Sequence, residues 1–172
     1  MSNNIQQQTT INIQEKANLI WAIADKLVGV YKPHEYGNVI LPMCVIKRFE
    51  DTLAPTKQAV LDTNAKLDKD GIVVKKGFLE TAAGQQLYNL SPFTFQSLLN
   101  DPENIKENFE SYLNHFSENV IDIIHRMDFD RELQKMADNN VLYLVIKEFC
   151  TSKAYLGADL VLSLIHISEP TR

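Results

Sequence analysis

Apolar residues recur every three or four positions along most of this chain, and that spacing limits its fold more than any other feature. The clearest example follows Asp101-Pro102-Glu103, which has the composition of a helix start: a capping Asp, a Pro in the first turn and an acidic residue near the positive end of the dipole. One stripe of large side chains comes next: Ile105, Phe109, Tyr112, Leu113 and Phe116. Such spacing predicts an amphipathic helix rather than a strand.

The N-terminal part of the chain has the same periodicity. The predicted inward face consists of Ile13, Ala17, Ile20, Ala24, Leu27 and Val28. Asn12 is the predicted N-cap, with Glu15 as its capping-box partner, and Gly29 is placed to help end the helix. Residues 1–12 are therefore predicted to be a polar tail.

The middle of the chain predicts further helices, interrupted by Pro and Gly. Pro42 predicts either one kinked helix or two short helices over His34–Leu53, and Pro55 begins another helix that ends near Lys69. After Asp70-Gly71, the run Ile72–Val74 predicts a small β-hairpin or an exposed loop. A helix is predicted at Phe78–Leu90, followed by a break at Ser91–Phe95 and a short helix that ends at Leu99. Three more helices are predicted: one capped by Ser117, one at Asp130–Ala137 and one at Val141–Lys153. The predicted fold is all-α, a multi-helix bundle of about seven to eight helices with at most one small β-hairpin.

Length and composition indicate one globular domain. The 172 residues are 45% hydrophobic, which is enough to build a core. The longest apolar run, Val39–Ile46, is too short to span a bilayer, and the first ten residues lack a secretory signal, so a cytoplasmic protein is expected. Cys44 and Cys150 lie in apolar helical stretches and are predicted to be reduced core thiols.

The sequence contains no pattern that indicates catalysis. It has no nucleophile elbow, phosphate-binding loop or dinucleotide fingerprint, and no metal-ligand spacing of Cys or His. Glu50 and Asp51 are neighbours that point apart on a helix, so a solvated face is predicted for them. No catalytic, cofactor-binding or metal-binding residue is therefore assigned.

The charge of the chain limits how it could bind DNA. A domain that grips DNA by its phosphates is usually basic, whereas this chain has a net charge of −5. Either it does not bind nucleic acid or it does so as part of a larger assembly. Four basic residues are the possible contacts to DNA or to an acidic partner: Lys47, Arg48, Lys75 and Lys76. The alternative is that these side chains are simply solvated.

The C-terminal residues 162–172 are predicted not to belong to the native protein. One codon choice for Leu162–Arg172 is similar to a transposase-based sequencing adapter read in frame, so this segment is predicted to be a non-native translation. The native domain is then residues 13–161, and the gene would continue beyond it.

Four stretches together resemble the N-terminal helical domain of the modification subunit, HsdM, of type I restriction-modification systems. The resemblance rests on their order and spacing, and it covers nearly everything from Ile13 to Leu160. The stretches are Ile20–Leu27; His34–Pro42 with Lys47–Asp51; Ala82–Asn89 with Ser91–Phe95; and Asn104–Phe149, which includes Phe116–Val120.

The resemblance implies a function that these residues alone do not show. The full-length family member is an adenine-specific DNA methyltransferase that uses S-adenosylmethionine, and its partners are the specificity subunit, a second modification subunit and the restriction subunit. The N-terminal domain is expected to clamp double-stranded DNA and contact these subunits. Methyl transfer requires a downstream domain with an Asn/Asp-Pro-Pro-Phe/Tyr motif that holds the flipped adenine. This sequence has no Pro-Pro, so the fragment is expected to need no cofactor and to be inactive alone.

Two other functions remain open at this stage. The chain could be a stand-alone helical protein-interaction module that binds through an amphipathic face. It could also be a small helical enzyme whose site forms only in three dimensions from His115, His125 and nearby carboxylates.

Overall fold

A computed structural model describes residues 2–152, except for the side chains at positions 2, 8, 9, 11 and 12. Over that range it confirms the all-α prediction, with nine α-helices, close to the predicted seven or eight, and no β-strand. The helices are α1 Ser2–Leu27, α2 Gly37–Leu53, α3 Lys57–Lys69, α4 Lys76–Ala83, α5 Phe95–Leu98, α6 Ile105–Asn114, α7 Glu118–Arg126, α8 Phe129–Asp138 and α9 Leu142–Thr151. Short 3-10 turns precede α2, α3 and α6. The prediction that 162–172 is non-native lies outside the described residues.

The chain folds into two compact units. The first contains the described residues up to Arg48 and from Phe129 onward, and the second is Phe49–Asp128. In the first unit α1 and α8 pack against α9, and in the second α3 packs against α4 and α5 against α6. No helix in residues 2–152 has the length and apolar character needed to cross a membrane.

Helix α1 begins at Ser2, eleven residues before the predicted start at Ile13. Asn12 is inside the helix and is not its N-cap, so that prediction was wrong. Residues 2–12 contain neither Gly nor Pro, and extending an existing helix costs little compared with nucleating one. Side-chain bonds within the helix support it, since the Thr10 hydroxyl donates to the Gln6 carbonyl at 2.9 Å.

The buried face of α1 also differs from the prediction. Leu19, Ile23 and Leu27 are buried, whereas Ile13 and Val28 of the predicted inward face are more than 60% exposed. Helical spacing identifies apolar positions, but two neighbouring faces of α1 are apolar, and only the packing against α9 selects one of them.

Glycine and proline act differently at three predicted boundaries. Gly29 follows the end of α1 with φ of +85°, as predicted. Gly84 adopts φ of +70° and ends α4, so the helix predicted through Leu90 was wrong in its second half. Pro42 does not divide α2, which runs unbroken through it. Burial of Val39 and Ile46 around this proline helps offset a cost of about 3 kcal/mol for an internal Pro.

Within residues 2–152, Cys44 and Cys150 are both in the thiol form, as predicted. Cys44 is fully buried, as predicted for a core thiol, and its burial raises its pKa to about 12. Cys150 is half-buried. The thiolate is the nucleophilic form of cysteine, so Cys44 is protected from reagents in two ways: its side chain is buried, and its thiol stays protonated.

We expect an alkylating reagent at neutral pH to leave Cys44 unmodified in the folded chain and to modify it after unfolding in denaturant. The raised pKa keeps the folded-state thiol protonated until the pH approaches about 12. Mass spectrometry of tryptic peptides measures the modification, with Cys44→Ala as the matched control. Rapid modification of Cys44 in the folded chain would contradict its burial.

Candidate interaction surfaces

Two of the sequence motifs pair with each other in the second unit. The segment after α4 runs beside the junction of α6 and α7, where the Ser117 amide donates to the Tyr88 carbonyl at 2.8 Å and the Leu90 amide donates to the His115 carbonyl at 2.9 Å. The side chain of Asn119 donates to the Gln86 carbonyl at 2.8 Å. These motifs therefore act as structural ties, because they satisfy backbone groups that no helix would satisfy.

A second pair of motifs meets at Glu50. Its carboxylate accepts a hydrogen bond at 2.7 Å from the backbone amide of Phe95, the first residue of α5. The side chain is buried, so the predicted solvated face was wrong for Glu50. A negative charge at a helix start satisfies an amide that has no partner within the helix. Glu50, an acidic residue of the Lys47–Asp51 stretch on α2, therefore holds the Ser91–Phe95 motif in place.

Lys57 and Tyr112 complete a polar network around Glu50. The Lys57 ammonium donates to the Phe93 carbonyl and lies 5.3 Å from the centre of the Tyr112 ring. Burial lowers the pKa of Lys57, and the Glu50 charge opposes that shift. Burial and then the Glu50 charge raise the pKa of Tyr112, which also forms a hydrogen bond with Glu50. The network holds a neutral Tyr and a Lys–Glu pair inside the second unit, which is a structural role.

The four predicted basic contacts are divided between the two units. Lys47 and Arg48 are half-buried on α2 in the first unit, whereas Lys75 and Lys76 are in the second. Lys75 forms an ion pair with Asp68 and donates to the Asn64 side chain at 3.1 Å. Its charge is therefore largely engaged within the chain.

Lys76 is the most exposed of the four, and it borders an acidic cleft. Its side chain is 79% exposed and its ammonium lies 3.9 Å from a Glu80 oxygen. A cleft of about 590 Å³ is lined by Lys76, Glu80, Gln86, Tyr88, Ser117, Glu118, Asn119 and Asp122. Three carboxylates outnumber one ammonium here, so the cleft would repel a phosphate. Burial, followed by the charges of Glu80 and Glu118, raises the pKa of Tyr88.

His115 and His125 do not have the burial expected of a catalytic site. Both imidazoles are exposed, and the Nδ1 atom of His115 lies 2.6 Å from the Ser111 carbonyl, one turn earlier on the same helix. In the part of the chain that the structure describes, no three His, Cys, Asp or Glu side chains are grouped to hold a metal ion. The arrangement therefore gives no support to the small-enzyme hypothesis.

Helix α1 carries exposed large apolar side chains. Trp21, the only tryptophan, is 75% exposed, and Ile13 and Val28 are 62% and 65% exposed. Steps of four residues connect Ile13, Ala17 and Trp21, so these side chains follow one face of α1. We call these three residues the α1 stripe. It contains no charge, and the first charged residue of the chain is Glu15.

The HsdM N-terminal domain profile matches residues 16–149. The chain belongs to this family. It is therefore the N-terminal domain of a modification subunit of a type I restriction-modification system, as the resemblance implied. No curated protein and no solved structure matches the chain significantly.

The match to the HsdM N-terminal domain includes residues of both units and the C-terminal part of α1, with Ala17 and Trp21 of the α1 stripe. Within it, the motifs that carry the resemblance build the scaffold through Glu50, Tyr88 and Ser117. The sequence analysis missed Trp21 as a surface residue, although a signal was present. Ile13, Ala17 and Trp21 recur at four-residue steps, so the spacing already gives α1 a second apolar line beside Leu19, Ile23 and Leu27.

Proposed function

We propose that this HsdM N-terminal domain is a non-catalytic assembly domain that binds the neighbouring subunits and helps close the complex around double-stranded DNA. The observation that carries the proposal is the uncharged α1 stripe, in which Ile13 and Trp21 are 62% and 75% exposed. Family membership supplies the context, because a type I modification subunit works within a multi-subunit complex. The specificity subunit, a second modification subunit and the restriction subunit are its proposed partners.

The α1 stripe has the properties of a binding surface. Trp21 lies eight residues after Ile13, so the stripe extends about 12 Å along the helix. Tryptophan is the residue type most enriched among binding hot spots, since a buried indole removes a large apolar area from water. A folded helix presents this side chain with its backbone already ordered, which lowers the entropic cost of binding.

The proposed DNA contact depends on the assembly rather than on this domain alone. The net charge is −5, and the basic candidates are divided between the two units and partly neutralised, as Lys75 is by Asp68. Phosphate neutralisation supplies most non-specific affinity for DNA. We therefore propose that Lys47 and Arg48 add to a positive surface supplied mainly by other subunits, whereas the carboxylates around Lys76 disfavour a phosphate contact there.

Methyl transfer is proposed to belong to the full-length subunit and not to this fragment. The sequence contains no Pro-Pro, which the adenine-binding motif of the family requires. S-adenosylmethionine is accordingly a proposed cofactor of the complete protein only. Adenine methylation by the purified 172-residue chain would contradict this assignment.

We expect Trp21→Ala to weaken binding of the chain to purified specificity or modification subunits by about 30-fold, which corresponds to the ~2 kcal/mol typical of a hot-spot tryptophan. Titration calorimetry measures the affinity of each pair. Because Trp21 is 75% exposed, the variant should keep its circular dichroism spectrum and its unfolding midpoint.

Two further variants make this test specific. Trp21→Phe retains much of the apolar area and should recover part of the affinity. Phe78→Ala removes an aromatic ring that is 55% exposed on the second unit, and it should leave the affinity unchanged if the α1 stripe is the contact. If Trp21→Ala binds every partner subunit with the same affinity as the original chain, the proposal is wrong.

A further inference from the structure

The cleft that Lys76 borders lies within the second unit and has walls that are fixed to each other. One wall is the segment after α4 and the other is the start of α7. The Ser117 amide donates to the Tyr88 carbonyl at 2.8 Å, and the Tyr88 amide donates back to the Ser117 hydroxyl oxygen at 3.3 Å. The Asn119 side chain adds a bond to the Gln86 carbonyl at 2.8 Å. The cleft is therefore preformed, and its volume of about 590 Å³ is typical of small-molecule sites.

Ser117 gives the cleft a buried polar group with unused hydrogen-bonding capacity. Only 6% of this residue is exposed, yet it lines the cleft. A hydroxyl group has one proton to donate and two lone pairs that accept, and the Tyr88 amide uses one of these lone pairs. Within residues 2–152, the Ser117 hydroxyl makes no capping bond to α7 and donates to no acceptor. Since buried polar groups are normally satisfied, this hydroxyl has room for a partner that the chain itself does not supply.

The charges around this hydroxyl are negative and largely unpaired. Glu118 and Asp122 are exposed and lie one turn apart on α7, and neither forms an ion pair or a hydrogen bond with a described residue. Glu80, on α4, faces the Lys76 ammonium at 3.9 Å. The second unit as a whole contains 13 Asp and Glu against 7 Lys and Arg, so its field adds to that of the cleft. A cation in the cleft would therefore be stabilised.

The arrangement favours an organic cation over a metal ion. In the described part of the chain, no three carboxylates are grouped closely enough to hold one ion. A ligand with several separated positive charges can instead reach Glu80, Glu118 and Asp122 together. Tyr88 adds an aromatic wall, and the face of an aromatic ring attracts alkylammonium groups. Lys76 already places one such group beside Glu80, at an exposed position from which another cation can displace it.

We propose that this cleft binds a linear polyammonium ligand, a polyamine with two or more charged amines. One ammonium group donates to the Ser117 hydroxyl oxygen and lies against the Tyr88 ring, and a second pairs with Glu118 and Asp122. The proposal goes beyond the assembly role proposed above, because it gives the second unit a small-molecule ligand, and it does not depend on that role.

Titration calorimetry of the full chain with spermidine, a linear triamine, tests the site. We expect one spermidine per chain, with a dissociation constant below about 1 mM at moderate salt. Glu118→Gln combined with Asp122→Asn should weaken binding by at least about tenfold, because two carboxylates are removed while both side chains keep their size.

A matched control separates the cleft from the charge of the whole unit. Glu103→Gln combined with Glu107→Gln removes two exposed carboxylates of the second unit, also four residues apart, that do not line the cleft. This control should change spermidine binding by less than about twofold, because exposed charges at a distance are screened by salt. All four positions are exposed, so both double variants should keep the unfolding midpoint of the original chain.

Two further variants test the sign of the charge and the aromatic wall. Lys76→Gln should strengthen spermidine binding by roughly threefold, because it removes the competing ammonium group. Tyr88→Leu should weaken binding by about fivefold, whereas Tyr88→Phe keeps the ring and should bind as the original chain does. Weaker binding in Lys76→Gln would contradict the proposed cation site.

A comparison of two ions of equal charge separates a built site from diffuse attraction. Putrescine, a linear diamine, carries the same charge as Mg²⁺, but only the diamine can reach carboxylates that lie apart. Putrescine should therefore bind at least about tenfold more tightly than Mg²⁺. Equal binding of these two ions, or equal weakening by the cleft and control variants, overturns the proposal. Neither result bears on the α1 stripe, which is measured by Trp21 variants with other subunits.

Discussion

Phe95→Ala is expected to destabilise the chain by about 4 kcal/mol, the largest effect of any single change considered for this domain. The Phe95 side chain is completely buried, and its ring makes edge-to-face contacts with Phe109 and Tyr112 at centroid distances of 5.7 and 6.1 Å. Truncation would remove the apolar area and both aromatic contacts and leave a cavity beside a stacked pair. The folded state would lose stabilisation that the unfolded state never had.

Urea unfolding followed by far-ultraviolet circular dichroism measures this loss. Phe78→Ala is the matched control, because it removes the same group from a ring that is 55% exposed, and a change of about 1 kcal/mol or less is expected for it. Similar losses in the two variants would show that the second unit is not built around Phe95.

Glu50→Ala is expected to lower the free energy of unfolding by about 3 kcal/mol. It removes the acceptor for the Phe95 amide and the negative charge that faces Lys57, while these groups stay at least partly shielded from water. A buried donor or charge that loses its partner costs more than the lost bond was worth, because water cannot replace it.

Two comparisons separate the charge of Glu50 from its hydrogen bond. Glu50→Gln retains an acceptor oxygen and the size of the side chain, so its loss should be about half as large. Glu103→Ala removes an exposed carboxylate and should change stability by less than about 0.5 kcal/mol. If Glu50→Ala unfolds at the same urea concentration as the original chain, the network around Glu50 does not stabilise the domain.

The resemblance to the HsdM family and the structure explain each other. The stretches that identify the family are the ones that tie helices together: the Lys47–Asp51 cluster through Glu50, the Ser91–Phe95 segment through the Phe95 amide, and Phe116–Val120 through Ser117. Positions of this kind tolerate little change, because each satisfies a backbone group that has no other partner. These motifs are therefore explained by their contacts within the fold, and the α1 stripe lies elsewhere in the chain.

The helical architecture could be predicted from the sequence alone, because helix formation depends mainly on interactions between residues close in the chain. The α6 stripe of Ile105, Phe109 and Tyr112 is buried as predicted, because a 3.6-residue period puts such positions on one face whatever they pack against. Gly29 ends α1 for an equally local reason, since a positive φ suits a residue without Cβ. The family, too, was identifiable from the order of its motifs.

Burial and exposure of single side chains were decided only by the tertiary structure. The sequence shows Glu50 on a charged turn of helix, and only the approach of Phe95, 45 residues later, turns it into a buried anchor. Trp21 and Leu19 are both apolar residues of α1, yet one is exposed and the other is buried, because α9 covers one face only. Period and composition determine which residues can lie inside, whereas the contact between distant segments determines which of them do.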